Sequence, residues 1–335
     1  MNEWIIELGK KIEALDEDQL NDWSRKIYAN NPWFTKQNVK YALDGWVHML
    51  KPEAVKEWLG QYVIVQPKTI KTVGIVMAGN IPFSGFHDML CVLASGHKVK
   101  AKRSSQDVLL PQFILSLISE INQEIASRVE WVERIENIDA VIATGSGNTS
   151  RYFKHYFSKW PHIIRSNRTS VAVLTGEETD EELRLLGKDI FTYFGLGCRN
   201  VSKVYLPEGK PVDPILRVIE ECEEFQELKI HNKYSNNYDY NRSVYYLNQI
   251  LFYDNNIVLL KEDNQLASPI GVIFYEFYKN INQLQLQLET DRDKIQCIVS
   301  KENLVDGAVA FGQAQSPSIA DYADGVDTME FLLGL

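Results

Sequence analysis

The strongest constraint on this chain is an alternation that begins near residue 70, where short apolar runs of strand length are separated by helical stretches. "KTVGIVMA" reads as a buried strand, "FHDMLCVLASG" as a helix stopped by Gly96, and "HKVKAK" as a second strand. "DVLLPQFILSLISEINQEIASRV" reads as one long helix with Pro111 in its first turns. Next come "IDAVIATG" as a strand, "NTSRYFKHYF" as a helix and "TSVAVLTG" as a strand. Strands joined through helical segments of about ten or more residues form right-handed parallel βαβ units, so the spacing predicts a doubly wound sheet. Ligands of such sheets bind outside the carboxyl ends of the strands, so the residues that leave each strand are the ones to inspect.

The flanking regions differ. The first 65 residues read as helices: Leu20, Trp23 and Ile27 share one face, and Thr35 caps a segment with Val39, Ala42, Leu43, Trp46 and Val47 at helical spacing. Pro52 stands at a first helical position and Gly60 at a stop. After Gly176 the pattern gives a helix ("TDEELRLLGKDIFTYFGLG"), a strand ("VSKVYLP") and a helix ("VDPILRVIEECEEFQEL"). A Tyr- and Asn-rich stretch from His231 to Gln249 follows, then the strands "NNIVLL", "IGVIFYEF" and "KIQCIVS". At 335 residues the chain is long for a single core. The expected division is a helical segment over 1–65 packed on a first domain at 66–175, to which 300–335 returns, and a second domain at 176–299.

Composition removes several classes of function. A formal charge of −10, spread over helix faces, argues against nonspecific nucleic-acid binding. The longest apolar runs, such as "VLLPQFILSLI", are broken before the roughly 18 to 20 residues a membrane span needs. "MNEWIIELGKKIEAL" places acids ahead of its lysines, unlike a secretory or transit peptide, and a cytoplasmic location is expected. Cys91, Cys198, Cys222 and Cys297 form no CxxC pair and have no His at metal spacing, so neither zinc nor a disulfide framework is expected.

Four local features carry chemistry. In "VMAGNIPFSGFHDML" a strand delivers Asn80 just before Ile81-Pro82, either as an amide that donates to a substrate oxygen or as an Asx turn before proline. In "KVKAKRSSQD" the strand exit holds Lys98, Lys100, Lys102, Arg103, Ser104 and Ser105, either a set of donors for a phosphorylated ribose or a solvated edge. "IATGSGNTS" places Thr144, Gly145, Ser146 and Gly147 between a strand and a helix, where backbone N–H groups face an anion. As a dinucleotide fingerprint it is incomplete, because Ser150 takes the place of the third glycine. In "YFGLGCRNVS", Cys198 follows a glycine pair at a helix end, either as a nucleophile or as a small packing residue. Arg199 favours the thiolate if its charge points inward. Cys91 and Cys297, inside an apolar helix and an apolar strand, read as packing residues.

The order of these features resembles the aldehyde dehydrogenase superfamily, and within it the LuxC-type branch of long-chain acyl-CoA reductases. "GNIPF", "KRSS", "ATGS", "GLGCRNVSKVYLP" and "FGQAQSPSIADYADGVDTMEFL" carry the resemblance, over roughly residues 65 to 330. It implies a Rossmann-type doubly wound parallel sheet domain plus a smaller α/β catalytic domain. It also implies that Cys198 takes an acyl group from coenzyme A as a thioester, with the oxyanion held by Asn80 and the backbone N–H of Cys198. Lys102 matches the lysine that binds the adenosine ribose. Ser105 stands where relatives carry a Glu that grips both ribose hydroxyls, which leaves room for a 2′-phosphate beside Lys102 and Arg103, so NADPH is expected. Gly145 and Ser146 match the loop near the cofactor's pyrophosphate.

Two departures from the family pattern bear on the reaction. Where aldehyde-oxidising members carry a water-activating Glu, this sequence has Arg165, Ser166 or Asn167. Without a carboxylate to deprotonate water, hydrolysis of the thioester is disfavoured and reduction is expected. A second Glu of the family, at the nicotinamide ribose, falls near Gln265. The expected function is therefore NADPH-dependent reduction of acyl-CoA to an aldehyde. The alternatives are an acyl phosphate reductase and a catalytically silent scaffold subunit of an acyl-transfer complex. The resemblance also implies a homodimer or larger assembly.

Overall fold

The computed structural model describes residues 2–145 and 147–335. The chain begins with α1 (Glu3–Glu13), α2 (Glu17–Asn30), α3 (Lys36–Met49) and α4 (Pro52–Gly60). There follow β1 (Thr72–Val76), α5 (Phe86–Ala94), β2 (Lys98–Lys102), α6 (Leu109–Ile121), α7 (Gln123–Ala126), β3 (Val129–Trp131), β4 (Ala140–Thr144), α8 (Gly147–Tyr156) and β5 (His162–Arg165). The next stretch holds β6 (Thr169–Val173), α9 (Asp180–Phe191), β7 (Val201–Pro207), α10 (Asp213–Glu221), α11 (Glu227–Ile230) and α12 (Asn232–Leu247). It closes with β8 (Tyr253–Asp254), β9 (Leu259–Glu262), β10 (Val272–Tyr278), α13 (Ile281–Thr290), β11 (Ile295–Ser300) and α14 (Thr328–Leu333). None of the described helices is long and apolar enough to cross a membrane.

Two compact units result, one from Met1–Asn167 with Pro317–Leu335, the other from Arg168–Ser316. The boundaries thus fall at Asn167 and Pro317, where the sequence suggested Thr175 and residue 300. The reason is pairing: β6 and β11 hydrogen-bond to each other, and β6 also to β7, so both belong to the second sheet.

The first unit holds a five-stranded parallel sheet in the order β3-β2-β1-β4-β5. The winding reverses between β1 and β4, which makes their carboxyl ends the switch point of the sheet. Helix α5 packs against β1 and β2. One connection lacks the expected helix, since residues 132–139 cross from β3 to β4 without one. Ile135 and Ile138 of this segment pack instead with Val141 and Ala143 of β4 and with Phe157, just past α8. Gly74 of β1 makes the close approach possible, because a Cβ there would lie 2.7 Å from Ile135 Cγ2. The long helix expected after Asp107 is broken at Asn122, whose side chain accepts from the Ile125 N–H at 3.1 Å and starts α7.

The N-terminal helices pack on this unit through Ile5, Leu8 and Ile12 of α1, which are buried against α3 and α6. The returning segment is fastened by polar contacts as well as by Met329 and Leu332. His87 Nε2 lies 2.8 Å from the Ile319 carbonyl, and His97 Nε2 lies 3.1 Å from the Leu332 carbonyl. The Lys71 N–H donates to His97 Nδ1, so the ring is neutral and its Nε2 is the donor. Burial holds both imidazoles below their ordinary pKa. Trp58 Nε1 donates to the Tyr322 hydroxyl at 2.6 Å, and the Tyr62 hydroxyl donates to Asp327 at 2.7 Å.

The second unit is built on a six-stranded sheet in the order β11-β6-β7-β10-β9-β8, parallel except for the short edge strand β8. Leu284 and Leu288 of α13 cover Val171, Val173 and Tyr205. Tyr238 and Tyr245 of α12 cover Leu259, Val272 and Phe274. The Tyr- and Asn-rich stretch is thus a helix, with Tyr234, Tyr238, Asn241 and Tyr245 on its buried side.

Candidate active site

Within the first unit, the carboxyl ends of β1, β2 and β4 bring together most of the cofactor-binding residues expected from sequence. The registers align Val76 with Lys102 and with Ala143, so the exits of the three strands lie side by side. Asn80 is exposed, just past Gly79. A Cβ on Gly79 would lie 2.5 Å from Ser104 Oγ, so glycine is what lets the β1 and β2 exits run in contact. Lys102 and Ser105 are exposed, while Ser104 Oγ accepts from the Gln106 N–H at 3.2 Å. Arg103 turns away from the other two, donating to the Val108 carbonyl at 3.2 Å and stacking 5.0 Å over the Trp131 ring. Thr144 ends β4, and the Gly145 N–H donates to the Arg165 carbonyl at 3.2 Å. Ser146 lies outside the described residues. An exposed cation at the end of β2 with a hydroxyl just beyond it, next to the switch point between β1 and β4, is a donor set that fits an anionic nucleotide.

Arg165, expected where relatives hold a water-activating Glu, ends β5 and is buried. Its Nη1 donates to both carboxylate oxygens of Asp88, at 2.7 and 2.6 Å, and its Nη2 to Thr328 Oγ1 at 2.9 Å. Burial opposes the guanidinium charge, but the Asp88 carboxylate outweighs it and holds the Arg165 pKa above its ordinary value. The residue is therefore a fixed cation that ties α5 and α14 to the sheet, with no capacity as a base.

Cys198 belongs to the second unit, in a turn between α9 and β7. Helix α9 is started by a capping box of Thr179 and Glu182 and ends at Phe191. Tyr193, Phe194 and Gly195 then adopt left-handed backbone at φ of 56°, 59° and 76°. Two buried aromatic residues in that region mark stored strain, held in place by surrounding contacts. The turn that follows exposes the Cys198 side chain.

Asn200 anchors that turn. Its Nδ2 faces the carbonyls of Asp189, Ile190 and Thr192 at 3.1, 3.1 and 2.8 Å, acceptors that the end of α9 leaves unsatisfied. Its Oδ1 accepts from the Gly197 N–H at 2.7 Å, and its own N–H donates to the Gly197 carbonyl at 3.1 Å. Arg199 Nε donates to the Ala314 carbonyl. Asp189 accepts from the N–H groups of Gly312 and Ala314 at 2.6 and 2.9 Å. Burial raises the Asp189 carboxyl to about 6 despite those two donors and the nearby Arg199. The Arg199 charge is thus engaged with Ala314 and the field of Asp189.

Cys297 is more than packing: its Sγ lies 3.1 Å from Ser170 Oγ, although burial holds the thiol above its ordinary pKa. Cys91 is fully buried, as expected for a core residue. Gln265 is exposed, with its N–H donating to Asp263 Oδ1 at 2.9 Å. The sequence singled out Cys198 but not Asn200, Asp189 and Ser170, whose hydrogen bonds surround its turn. The one local signal was an Asn two residues past the cysteine; the partners of Ser170 lie 28 and 127 positions away.

No family model matches this chain, and no curated protein does either. Solved structures do share the fold. An NAD-dependent aldehyde dehydrogenase from Sinorhizobium meliloti superposes with a TM-score of 0.62 at 11% identity, covering 89% of this chain and 68% of its own. Aldehyde dehydrogenase 21 from Physcomitrella patens gives 0.62 at 10% identity, covering 99% and 83%. An NAD-dependent benzaldehyde dehydrogenase from Corynebacterium glutamicum gives 0.63 at 11% identity, covering 92% and 79%. The fold is aldehyde dehydrogenase-like.

Proposed function

We propose that this protein is an oxidoreductase that reduces an acyl thioester of coenzyme A to an aldehyde, with Cys198 as the acyl acceptor and NADPH as reductant. The observation that carries the reading is an exposed cysteine on a tightly hydrogen-bonded turn of an aldehyde dehydrogenase-like fold, in a chain whose expected base position holds Arg165, Ser166 and Asn167. The Cys198 thiolate adds to the thioester carbonyl, and the bond from carbon to the coenzyme A sulfur breaks, leaving the acyl group on Cys198. Backbone N–H groups of the turn stabilise the charge on the carbonyl oxygen, a role in which the resemblance also implies Asn80. Lys102 and Ser105, with Thr144 and Gly145, hold the cofactor, and the small neutral Ser105 admits a 2′-phosphate. A bound NADPH would supply hydride to the acyl carbon, and the bond from that carbon to the Cys198 sulfur would then break, freeing the aldehyde and restoring the thiolate. Arg165, locked to Asp88, offers no base at the position where the resemblance implies a water-activating Glu.

Incubation with acyl-CoA in the absence of NADPH is expected to add one acyl mass to the peptide that contains Cys198. No adduct at any chain length, or an adduct that survives Cys198→Ser, overturns the proposal. An adduct formed from acyl phosphate but not from acyl-CoA replaces the substrate class.

A further inference from the structure

Ser170 sits where two irregularities of the second sheet meet. Between β6 and β11 the pairing runs Thr169 with Ile295 and then Val171 with Ile298, so β11 carries one extra residue opposite Ser170. Between β6 and β7 it runs Ser170 with Val201 and then Val171 with Lys203, so β7 also carries one extra residue. Bulges re-aim side chains and gather next to functional sites. Here the side chain between them is a fully buried hydroxyl.

All the hydrogen-bonding capacity of that hydroxyl is used. Ser170 Oγ accepts from the Cys297 N–H at 3.1 Å and from Cys297 Sγ at 3.1 Å, and it donates to the Cys198 carbonyl at 3.0 Å. A peptide unit is planar, with C=O and N–H on opposite sides, so fixing the Cys198 carbonyl also fixes the direction of the Arg199 N–H. The Asn200 N–H bond to the Gly197 carbonyl fixes the Cys198 N–H in the same way. Of the two peptide planes that flank the thiol-bearing carbon, one is therefore set by the turn's own hydrogen bond and the other, from outside the turn, by Ser170.

We propose that Ser170 is a positioning residue for acyl transfer at Cys198: its hydroxyl locks the Cys198–Arg199 peptide plane, so that the backbone donors of the turn are oriented before negative charge develops on an acyl oxygen. The inference rests on Cys198 being an acyl acceptor. Preorganised donors of this kind are worth about 10²- to 10³-fold in rate when one is removed outright. A donor that is merely loosened by Ser170→Ala is expected to lose about 10-fold or more.

The test compares two reactions of the intact protein that differ in one respect. Acylation by p-nitrophenyl acetate joins the Cys198 sulfur to the carbonyl carbon through an oxyanion, breaks the ester C–O bond and releases p-nitrophenolate. Alkylation by iodoacetamide joins sulfur to carbon as iodide leaves, and no oxyanion forms. Ser170→Ala is expected to slow acylation about 10-fold or more, while alkylation stays within about twofold of the unaltered protein. Ser170→Thr, which keeps the hydroxyl, is expected to recover most of the acylation rate. Equal acylation by Ser170→Ala and the unaltered protein overturns the inference, and so does a parallel fall of both reactions, which is the mark of a loosened fold. If Ser170→Ala does not fold, Ser170→Cys, of similar volume and weaker donor strength, carries the same comparison. Acylation of the unaltered protein by the ester but not by acyl-CoA refutes the proposed substrate and leaves the role of Ser170 to the variant comparison. No acylation by either compound overturns both.

Discussion

One side-chain amide, that of Asn200, holds the cysteine turn onto the end of α9. Truncation leaves three carbonyls and one N–H to find other partners in a buried place. Asn200→Ala is therefore expected to cost about 2 to 4 kcal/mol, and thermal melting should fall by roughly 4 to 16 °C. A melting point unchanged by the substitution would contradict this role. Two buried carboxyls supply a pH dependence of known sign. Burial raises Asp107 to about 7 and Asp189 to about 6, against the N–H groups that each accepts. A carboxyl that is harder to ionise when folded binds more protons in the native state, so stability from these groups falls as pH rises from about 4 to 7. Asp107→Asn removes one of them. Melting of the variant relative to the unaltered protein is expected to improve steadily across that window; a constant gap would refute the shift. At this scale the sequence marked Cys198, because glycines flank it, and Asn80, because it leaves an apolar strand. Ser170 and Asn200 act through partners that only the folded chain brings near, and an isolated Ser or Asn carries no periodicity to reveal it.

Among the elements of the first unit, the crossover from β3 to β4 is the unusual one. Parallel strands are normally joined through a helix; here a loop lies directly on the sheet, with Ile135 and Ile138 in place of a helix face. Gly74 is the condition for that contact. Gly74→Ala would press a methyl group to within 2.7 Å of Ile135 Cγ2, and overpacking of this kind costs about 1 to 3 kcal/mol. Pairing with Ile135→Ala is expected to relieve part of that loss, and strictly additive melting shifts would show that the two side chains do not meet. Strands with uninterrupted apolar runs, such as β1, β4 and β6, were legible because burial on both faces writes itself as a continuous hydrophobic string. β3 and β5 were not, being short strands at the two edges of their sheet. α12 hid behind its tyrosine- and asparagine-rich composition, although Tyr234, Tyr238, Asn241 and Tyr245 are buried at helical spacing.

For the molecule as a whole, the alternation of strands and helices was enough to announce a doubly wound sheet. The unit boundary was less legible, because β6 continues the same apolar rhythm as β1 and β4 while pairing in a different sheet. The first unit is closed by a segment that follows the second one in the chain: Thr328 reaches Arg165, and Met329 and Leu332 are buried. A ribosome extends the chain from its N-terminus, and in most multidomain proteins the N-terminal domain folds first. Here that order is expected to invert, because every residue of Arg168–Ser316 is made before the Pro317–Leu335 segment that Met1–Asn167 needs. Chains that end at Ser316 are expected to yield a protease-resistant core from the middle of the sequence, with the N-terminal half still digestible. The turn that carries Cys198 would then be assembled before the first unit is closed, so each newly made molecule passes through an interval with one unit folded and the other still open.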